Sequence, residues 1–261
     1  VTVYYVSQYQ PGSDSYDGLS PVYTSGTNGP WLTLAKANTD NLLVPDDIVY
    51  VGPGFYRETV TPYEEGTDGH PIRWVGDPEC VYLTSDKPGI CRISSVDANG
   101  LARNVTTITL GTKSYIYFEN FHLDGCDSST NIVTASGDTG IKNRLVDCMI
   151  QGSRYGPSNI MAIRCVAICA NPFNACLCYN CLGLGYYGFY LSKTGSNGNV
   201  VLGAYYGFEC TTSAVTLYNC VAVACTYGFN ATDTASTLVN CHAANCGVGY
   251  NYYTITNCTW S

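Results

Sequence analysis

Two short markers keep phase through the C-terminal half of the chain, and that phase constrains the fold more than any other feature. One is Asn followed by Cys, at Asn180-Cys181, Asn219-Cys220, Asn240-Cys241 and Asn257-Cys258, with Asp147-Cys148 and Arg164-Cys165 in register upstream. The other is Tyr187-Gly188-Phe189, Tyr206-Gly207-Phe208, Tyr227-Gly228-Phe229 and Val248-Gly249-Tyr250, at steps of 19, 21 and 21 residues. A chain repeating at a short fixed period builds a solenoid, in which each coil buries its apolar face on the next. Helix-pair repeats need more than about 30 residues per unit, so they are excluded. The stretches Thr216 to Ala224 and Thr237 to Ala244 are short, apolar and β-branched, and they are bounded by Gly, Asn, Ser and Thr. That is the pattern of strand and turn.

The predicted architecture is therefore all-β: a parallel β-helix over residues 46–261, forming one unit with an N-terminal cap over residues 1–45. The coils number about nine, a rod of about 45 Å at ~4.8 Å per rung. Asn tolerates the left-handed backbone of a tight bend. Asn180, Asn219, Asn240 and Asn257 are thus predicted to stack at one bend, where their side chains can hydrogen-bond along the axis. Cys181, Cys220, Cys241 and Cys258 then form a neighbouring inward column. The glycine of each Tyr-Gly-Phe marker is predicted at a second bend, with the aromatic ring packing on its counterpart one rung away.

Residues 1–80 read differently. Val1 to Ser7 suggests a strand, Gly12 to Leu19 a turn-rich loop, and Trp31 to Ala37 one short helix. Asp47 to Val51, Gly52-Pro53-Gly54 and Phe55 to Val60 look like strand–turn–strand, and His70 to Asp77 begins another rung. The motifs Tyr5-Val6-Ser7, Gly12-Ser13-Asp14, Asp17-Gly18, Leu32 to Ala37, Asp47 to Val51, Pro53 to Glu58 and Pro71-Ile72 are similar, in this order, to the start of the right-handed parallel β-helix, or pectin-lyase-like, superfamily. The resemblance implies a right-handed helix whose cap contains one short helix. It implies no single activity, because the superfamily holds polysaccharide lyases, glycoside hydrolases, epimerases, tailspikes and adhesins.

Composition narrows the partners. The net charge of −8 argues against nucleic acid, and no apolar run approaches the ~18 residues of a membrane span. No cofactor motif is present. From Cys165 to Ser261 the only charged residues are Lys193, Glu209 and Asp233. Two readings stand: Asn, Thr, Ser and Tyr solvate this surface, or neighbouring subunits or glycans cover it. The 15 cysteines show no zinc spacing. Their number predicts some disulfides, between rungs or within a coil, with buried unpaired thiols as the alternative. The chain starts at Val1 without a signal peptide, which suggests a processed protein at the cell surface or outside the cell. Sequons stand at Asn104, Asn230 and Asn257.

Ionisable groups suited to lyase or hydrolase chemistry concentrate in the middle coils. Lys142, Arg144 and Arg154 are the candidate catalytic bases. Asp124 and Asp127 offer oxygen ligands to a cation but also fit a turn beside Gly125. The superfamily's paired Asp-Asp, Gly-His-Gly and Asp-Pro-His-Asp signatures are absent. The abundant tyrosines suit sugar stacking or subunit contacts. Thr254 to Ser261 ends on a bare repeat strand, so copies are expected to associate end to end, Ile255 and Trp260 of one meeting Val1, Val3 and Tyr5 of the next. The favoured expectation is a secreted, non-enzymatic subunit of an extracellular fibre. The alternative is a carbohydrate-active enzyme or a polysaccharide-binding module.

Overall fold

The computed structural model describes the whole chain except residues 10, 40–41, 102, 126–129, 137–141, 153, 192–194, 211–213, 233–234 and 252. Three sheets of eleven, ten and eight strands wrap one continuous core. Strand pairing along each of them is parallel. Each coil visits the faces in turn, as Thr216–Tyr218 on the first, Val221–Val223 on the second and Tyr227–Ala231 on the third. Strands of the same face lie in register above and below, so a side chain repeats its position from rung to rung. After the strand supplied by the cap, the first face carries ten more, against about nine expected. The surplus comes from compact middle coils, such as those starting at Arg144, Met161 and Leu177.

The Asn bend forms as expected. Asn180, Asn219, Asn240 and Asn257 have φ of 53°, 51°, 53° and 50°, and all four follow a first-face strand. Asn120, Asp147 and Arg164 take the same place upstream, at 61°, 54° and 52°. Gly198 fills the slot between Asn180 and Asn219, at 69°. A one-residue left-handed bend turns the chain from the first face to the second, and Asn accepts that backbone more readily than other side chains. The expected hydrogen bonding along the Asn column is replaced in one case by a neighbouring row: Asn219 Nδ2 donates to Asn197 Oδ1 at 3.0 Å.

The residue after each bend points inward. Phe121, Cys148, Cys165, Cys181, Cys220 and Cys241 are buried in one column. Asn199, fully buried, occupies this column in the Gly198 coil. It makes up for its polarity by accepting from Cys181 N at 2.9 Å and donating to Cys178 O at 2.9 Å. The expected disulfides differ from the structure, since the 14 described cysteines are all free thiols. The thiols of Cys148, Cys165, Cys181, Cys220 and Cys241 donate instead to the carbonyl two residues earlier, at 3.2 to 3.5 Å. A small thiol fits the crowded inner side of the bend and satisfies a backbone acceptor within its own coil. Cys126 lies outside the described residues.

The Tyr-Gly-Phe marker departs from its expected place. It is not a bend but the middle of a third-face strand, at Tyr187–Leu191, Tyr206–Cys210 and Tyr227–Ala231. Glycine is required there by close approach of the next coil, because a Cβ on Gly207 would lie 2.4 Å from Gly228 O and one on Gly188 2.5 Å from Gly207 O. The pinched backbone lets glycine and the following ring both face inward. Phe173, Phe189, Phe208, Phe229 and Tyr250 stack in one file, with centroids 4.8, 4.9, 4.8 and 5.4 Å apart. The tyrosine that opens each marker points outward.

The cap docks on the first coil. Val3–Val6 pairs with Ile48–Val51 and extends the first sheet. The helix is Leu34–Ala37, with Thr33 as its cap and Glu58 accepting from Leu34 N and Ala35 N. Around Gly52-Pro53-Gly54 the expected strand–turn–strand is a corner between faces: Ile48–Val51 pairs with Ile72–Gly76 on the first, and Gly54–Tyr56 with Cys91–Ser94 on the second.

Candidate functional site

The third face carries a groove built from the outward half of the repeat. Tyr155, Asn171, Tyr187, Tyr206 and Tyr227 follow one another up one column. Beside it runs a column of Thr134, Ser158, Asn174, Tyr190, Glu209, Asn230 and Asn251. The Tyr187 and Tyr206 rings stack at 5.3 Å and those of Tyr206 and Tyr227 at 5.1 Å. Tyr186 and Tyr205, 50% and 38% exposed, stack at 5.0 Å on the flank. Lower on the rod a cavity of about 350 Å³ is lined by Arg154, Tyr155, Asn171, Asn174, Tyr187 and Tyr190. A second, of about 380 Å³, is lined by Thr106, Thr130, Asn131, Thr134, Tyr155 and Asn174. The two share Tyr155 and Asn174, so the groove continues across several rungs.

Among the described residues its lining is aromatic rings, amides and hydroxyls, with Arg154 and Glu209 as the charged exceptions. Arg154 lies with Cζ 5.0 Å from the Tyr155 centroid and has no ion-pair partner among the described residues. Glu209 stands among the tyrosines. Burial lifts its carboxyl above the ordinary value, against a hydrogen bond with the Asn230 side chain. Its Oε2 is buried without a hydrogen-bond partner. By the register, Arg154 and Glu209 sit three rungs apart, about 14 Å at ~4.8 Å per rung.

The structure divides the sequence-derived candidates. Lys142 and Arg144 come together on the first face, while Arg154 belongs to the third. Asp124 is buried and its Oδ2 is bonded to Arg92, at 2.8 Å from Nε and 2.6 Å from Nη2. Its carboxylate serves an ion pair on the second face. No cluster of three or more His, Cys, Asp or Glu placed for a metal occurs among the described residues. Asp127 lies outside the described residues. Of the sequons, Asn104 is exposed, Asn257 is an exposed bend residue, and Asn230 is a strand residue whose Oδ1 accepts from Asn251 Nδ2 at 2.8 Å. Val1, Ile255 and Trp260 are exposed, whereas Val3 and Tyr5 lie in the cap strand paired with Ile48 and Tyr50.

Sequence reading passed over Asn171, Asn174 and Tyr190, and it assigned Tyr187, Tyr206 and Tyr227 to core and bend. The available signal was Tyr187 and Tyr190 flanking the inward Gly188-Phe189 pair. A strand that turns two consecutive residues inward must present the residues on either side to solvent.

Several solved structures share this architecture. A rhamnogalacturonan lyase superposes with a TM-score of 0.54 at 19% identity, covering 94% of this chain and 68% of its own. Pectate lyase Pel9A gives 0.53 at 12% identity, over 99% and 78%. The GH136 lacto-N-biosidase from Eubacterium ramulus gives 0.53 at 11%, over 100% and 55%. The chain has the right-handed parallel β-helix, pectin-lyase-like fold. This β-helix thus spans between about half and four fifths of the length of those structures. No family model and no curated protein matches the chain. At these identities the likeness carries the fold, and function rests on the β-helix's own side chains. No helix among the described residues is long and apolar enough to cross a membrane.

Proposed function

We propose that the protein is an extracellular polysaccharide-binding β-helix whose third-face groove holds an extended glycan along the rod. The carrying observation is the row of outward tyrosines, Tyr155, Tyr187, Tyr206 and Tyr227, beside the amides of Asn171, Asn174 and Asn230. Flat rings accept the apolar faces of sugars, and amides answer their hydroxyls. A repeating wall suits a repeating ligand. That the structural neighbours include enzymes named for pectate and rhamnogalacturonan supports a carbohydrate ligand. Binding is favoured over hydrolysis because the described residues of the groove hold a single carboxylate, Glu209, where glycosidic hydrolysis ordinarily uses a pair.

Affinity electrophoresis against pectins, xylans and neutral glucans tests the reading. At least one polymer should retard the protein, and Tyr187→Ala or Tyr206→Ala should weaken binding about three- to tenfold each. Retardation by none, or variants that bind like the parent, would remove the proposal. Product analysis in the same panel, with Arg154→Gln as control, would reveal turnover.

A second reading, self-association, draws on the second face. There Met149, Val166, Ile168, Leu182, Leu184, Val200, Leu202, Val221 and Val223 point outward in two aliphatic columns across five rungs. Such a strip is unusual on a solvated sheet. A copy of the same chain packed face to face would cover it. Leu184→Lys should then lower the molecular mass measured by light scattering, whereas end-to-end contact would respond to Ile255→Lys. An unchanged monomeric mass in the parent and both variants would eliminate this reading.

A further inference from the structure

The lower end of the third-face groove is built differently from the tyrosine wall above it. Its cavity of about 350 Å³ is lined by Arg154, Tyr155, Asn171, Asn174, Tyr187 and Tyr190. Three successive rungs assemble it, since Asn171 follows Tyr155 and Tyr190 follows Asn174. Asn171 N donates to Arg154 O at 2.7 Å, which fixes the backbone that carries the guanidinium. The Arg154 side chain is exposed and rests on the Tyr155 ring, with Cζ 5.0 Å from the centroid. Among the described residues it makes no ion pair and no side-chain hydrogen bond, and the side-chain amides of Asn171 and Asn174 are also unbonded.

Other arginines of the rod are neutralised within the chain: Arg73 by Glu119, Arg92 by Asp124 and Arg164 by Asp147. Arg154 instead offers its fork of donors to the cavity, with two amides beside it and no carboxylate among the described lining residues. A fork of parallel N–H groups matches the two oxygens of a carboxylate. Higher up, the groove changes character. Tyr187, Tyr206 and Tyr227 are neutral, and the next charged group is Glu209, three rungs or about 14 Å above Arg154. A second anion on the ligand would lose water against neutral rings or meet a like charge at Glu209. The net charge of −8 adds to that repulsion.

On the reading that the groove holds an extended glycan, we propose that Arg154 determines its specificity: the lower cavity takes the carboxylate of one acidic sugar, and the rungs above take neutral sugars of the same chain. The carboxylate accepts from the Arg154 guanidinium, and the amides of Asn171 and Asn174 answer the hydroxyls of that sugar. The volume is within the ordinary range for small-molecule sites. The ligand class is therefore a polysaccharide that is mostly neutral and carries acidic sugars at intervals, rather than a polymer charged at every unit. One guanidinium supplies the selection, and the tyrosine wall supplies the length of contact.

The test is a calorimetric titration of the full chain with a neutral xylo-oligosaccharide, the same oligosaccharide bearing one glucuronate, an oligogalacturonate of equal length, and free glucuronate. The singly acidic ligand should bind about tenfold tighter than the neutral one. Arg154→Gln should erase that advantage and leave the neutral ligand unchanged, and the oligogalacturonate should bind no tighter than the singly acidic ligand. An unfolding midpoint equal to the parent's would show that the variant is folded. Equal affinity for the neutral and singly acidic ligands, an advantage that survives Arg154→Gln, tighter binding of the oligogalacturonate, or free glucuronate matching the singly acidic ligand would each overturn the proposal. So would failure of every ligand to bind. Tyr206, outside the cavity lining, separates this result from the groove reading. Tyr206→Ala should weaken the neutral and singly acidic ligands alike. Binding lost on Arg154→Gln but untouched by Tyr206→Ala would remove the extended groove and keep the cavity as a site for one acidic sugar.

Discussion

The coils before Gly125 and those after Cys165 share one backbone plan but stabilise it with different chemistry. In the early coils the core is mixed and bulky, with Tyr56, Trp74, Ile93, Phe118, Phe121 and Leu123 all buried. Long excursions between faces separate their strands, as between Gly76 and Cys91. Ion pairs such as Arg73–Glu119 and Arg92–Asp124 cross neighbouring rungs on the outside. In the later coils the inward positions are nearly uniform: Phe at the third face until Tyr250, Cys at the bend except for Asn199, and small or β-branched Ala, Gly or Val on the second face. The excursions shorten and the charges fall to Lys193, Glu209 and Asp233. Irregular coils with loops hide their surface, whereas regular coils present it, and the repeated surface is where the tyrosine wall and the aliphatic strip arise.

If the later coils depend on their ladders, the largest effect should come from breaking one. Phe208→Ala, in the middle of the ring file, should cost about 3–5 kcal/mol in denaturant unfolding. A loss below about 1 kcal/mol would mean that the file is dispensable, and that the early core stabilises the whole rod. Gly207→Ala should cost about 1–3 kcal/mol, because its Cβ would press on Gly228 O. The same measurement reads both, and similar denaturant slopes would show that the rod unfolds as one unit.

A smaller change should have the opposite sign. Ala224 sits at a second bend with φ of 55°, where Asn245 holds 52° one coil on. Ala224→Gly should relieve left-handed strain and raise stability by up to about 1 kcal/mol. A loss instead would show that the methyl group packs usefully.

Glu209 gives the subtlest test. Its folded carboxyl holds a proton to higher pH than the unfolded one, because burial outweighs the bond with Asn230. Folding therefore takes up a proton between the two values, and stability falls as pH rises through that window. Glu209→Gln should therefore gain stability over the parent as pH rises out of the ordinary carboxylate range, and match it at pH low enough to protonate both folded and unfolded carboxyls. A parallel pH profile for the two proteins would show that the burial is relieved by solvent.

The thiols sharpen the same contrast. Burial pushes Cys91 and Cys169 up to about 12 and Cys225 to about 11. Protonated thiols in a core react slowly. Alkylation of the native protein should therefore label few cysteines, and alkylation after unfolding without reductant should label nearly all. Thiols that stay blocked in the unfolded chain would restore the disulfides expected from the cysteine count.

The Asn bend was legible because the left-handed backbone admits few residues, so position and identity coincide at Asn180, Asn219, Asn240 and Asn257. The coil with Gly198 and Asn199 broke the written marker and was skipped, although Gly is the better residue at that φ and Asn199 replaces a thiol with an amide that pairs two backbone groups. The Tyr-Gly-Phe glycine misled for a related reason. Glycine marks either a turn or a close approach, and the approach of Gly228 O to Gly207 exists only once coils are stacked. Asn174 carries no motif at all, and it joins the groove beside Tyr190 through their shared register.

The sequence by itself determined a β-solenoid, the residues that turn its corners and the phase of its inward columns, because backbone sterics and burial act locally and repeat. Tertiary structure decided which outward residues share a face. It placed Arg154 in the groove beside Tyr155 and Asn171 while Lys142 and Arg144, only a dozen residues earlier in the chain, went to another cavity. The reason is geometric. Neighbours on a face are a whole coil apart in sequence, and coil length varies, so the number of residues in each excursion sets which side chains meet.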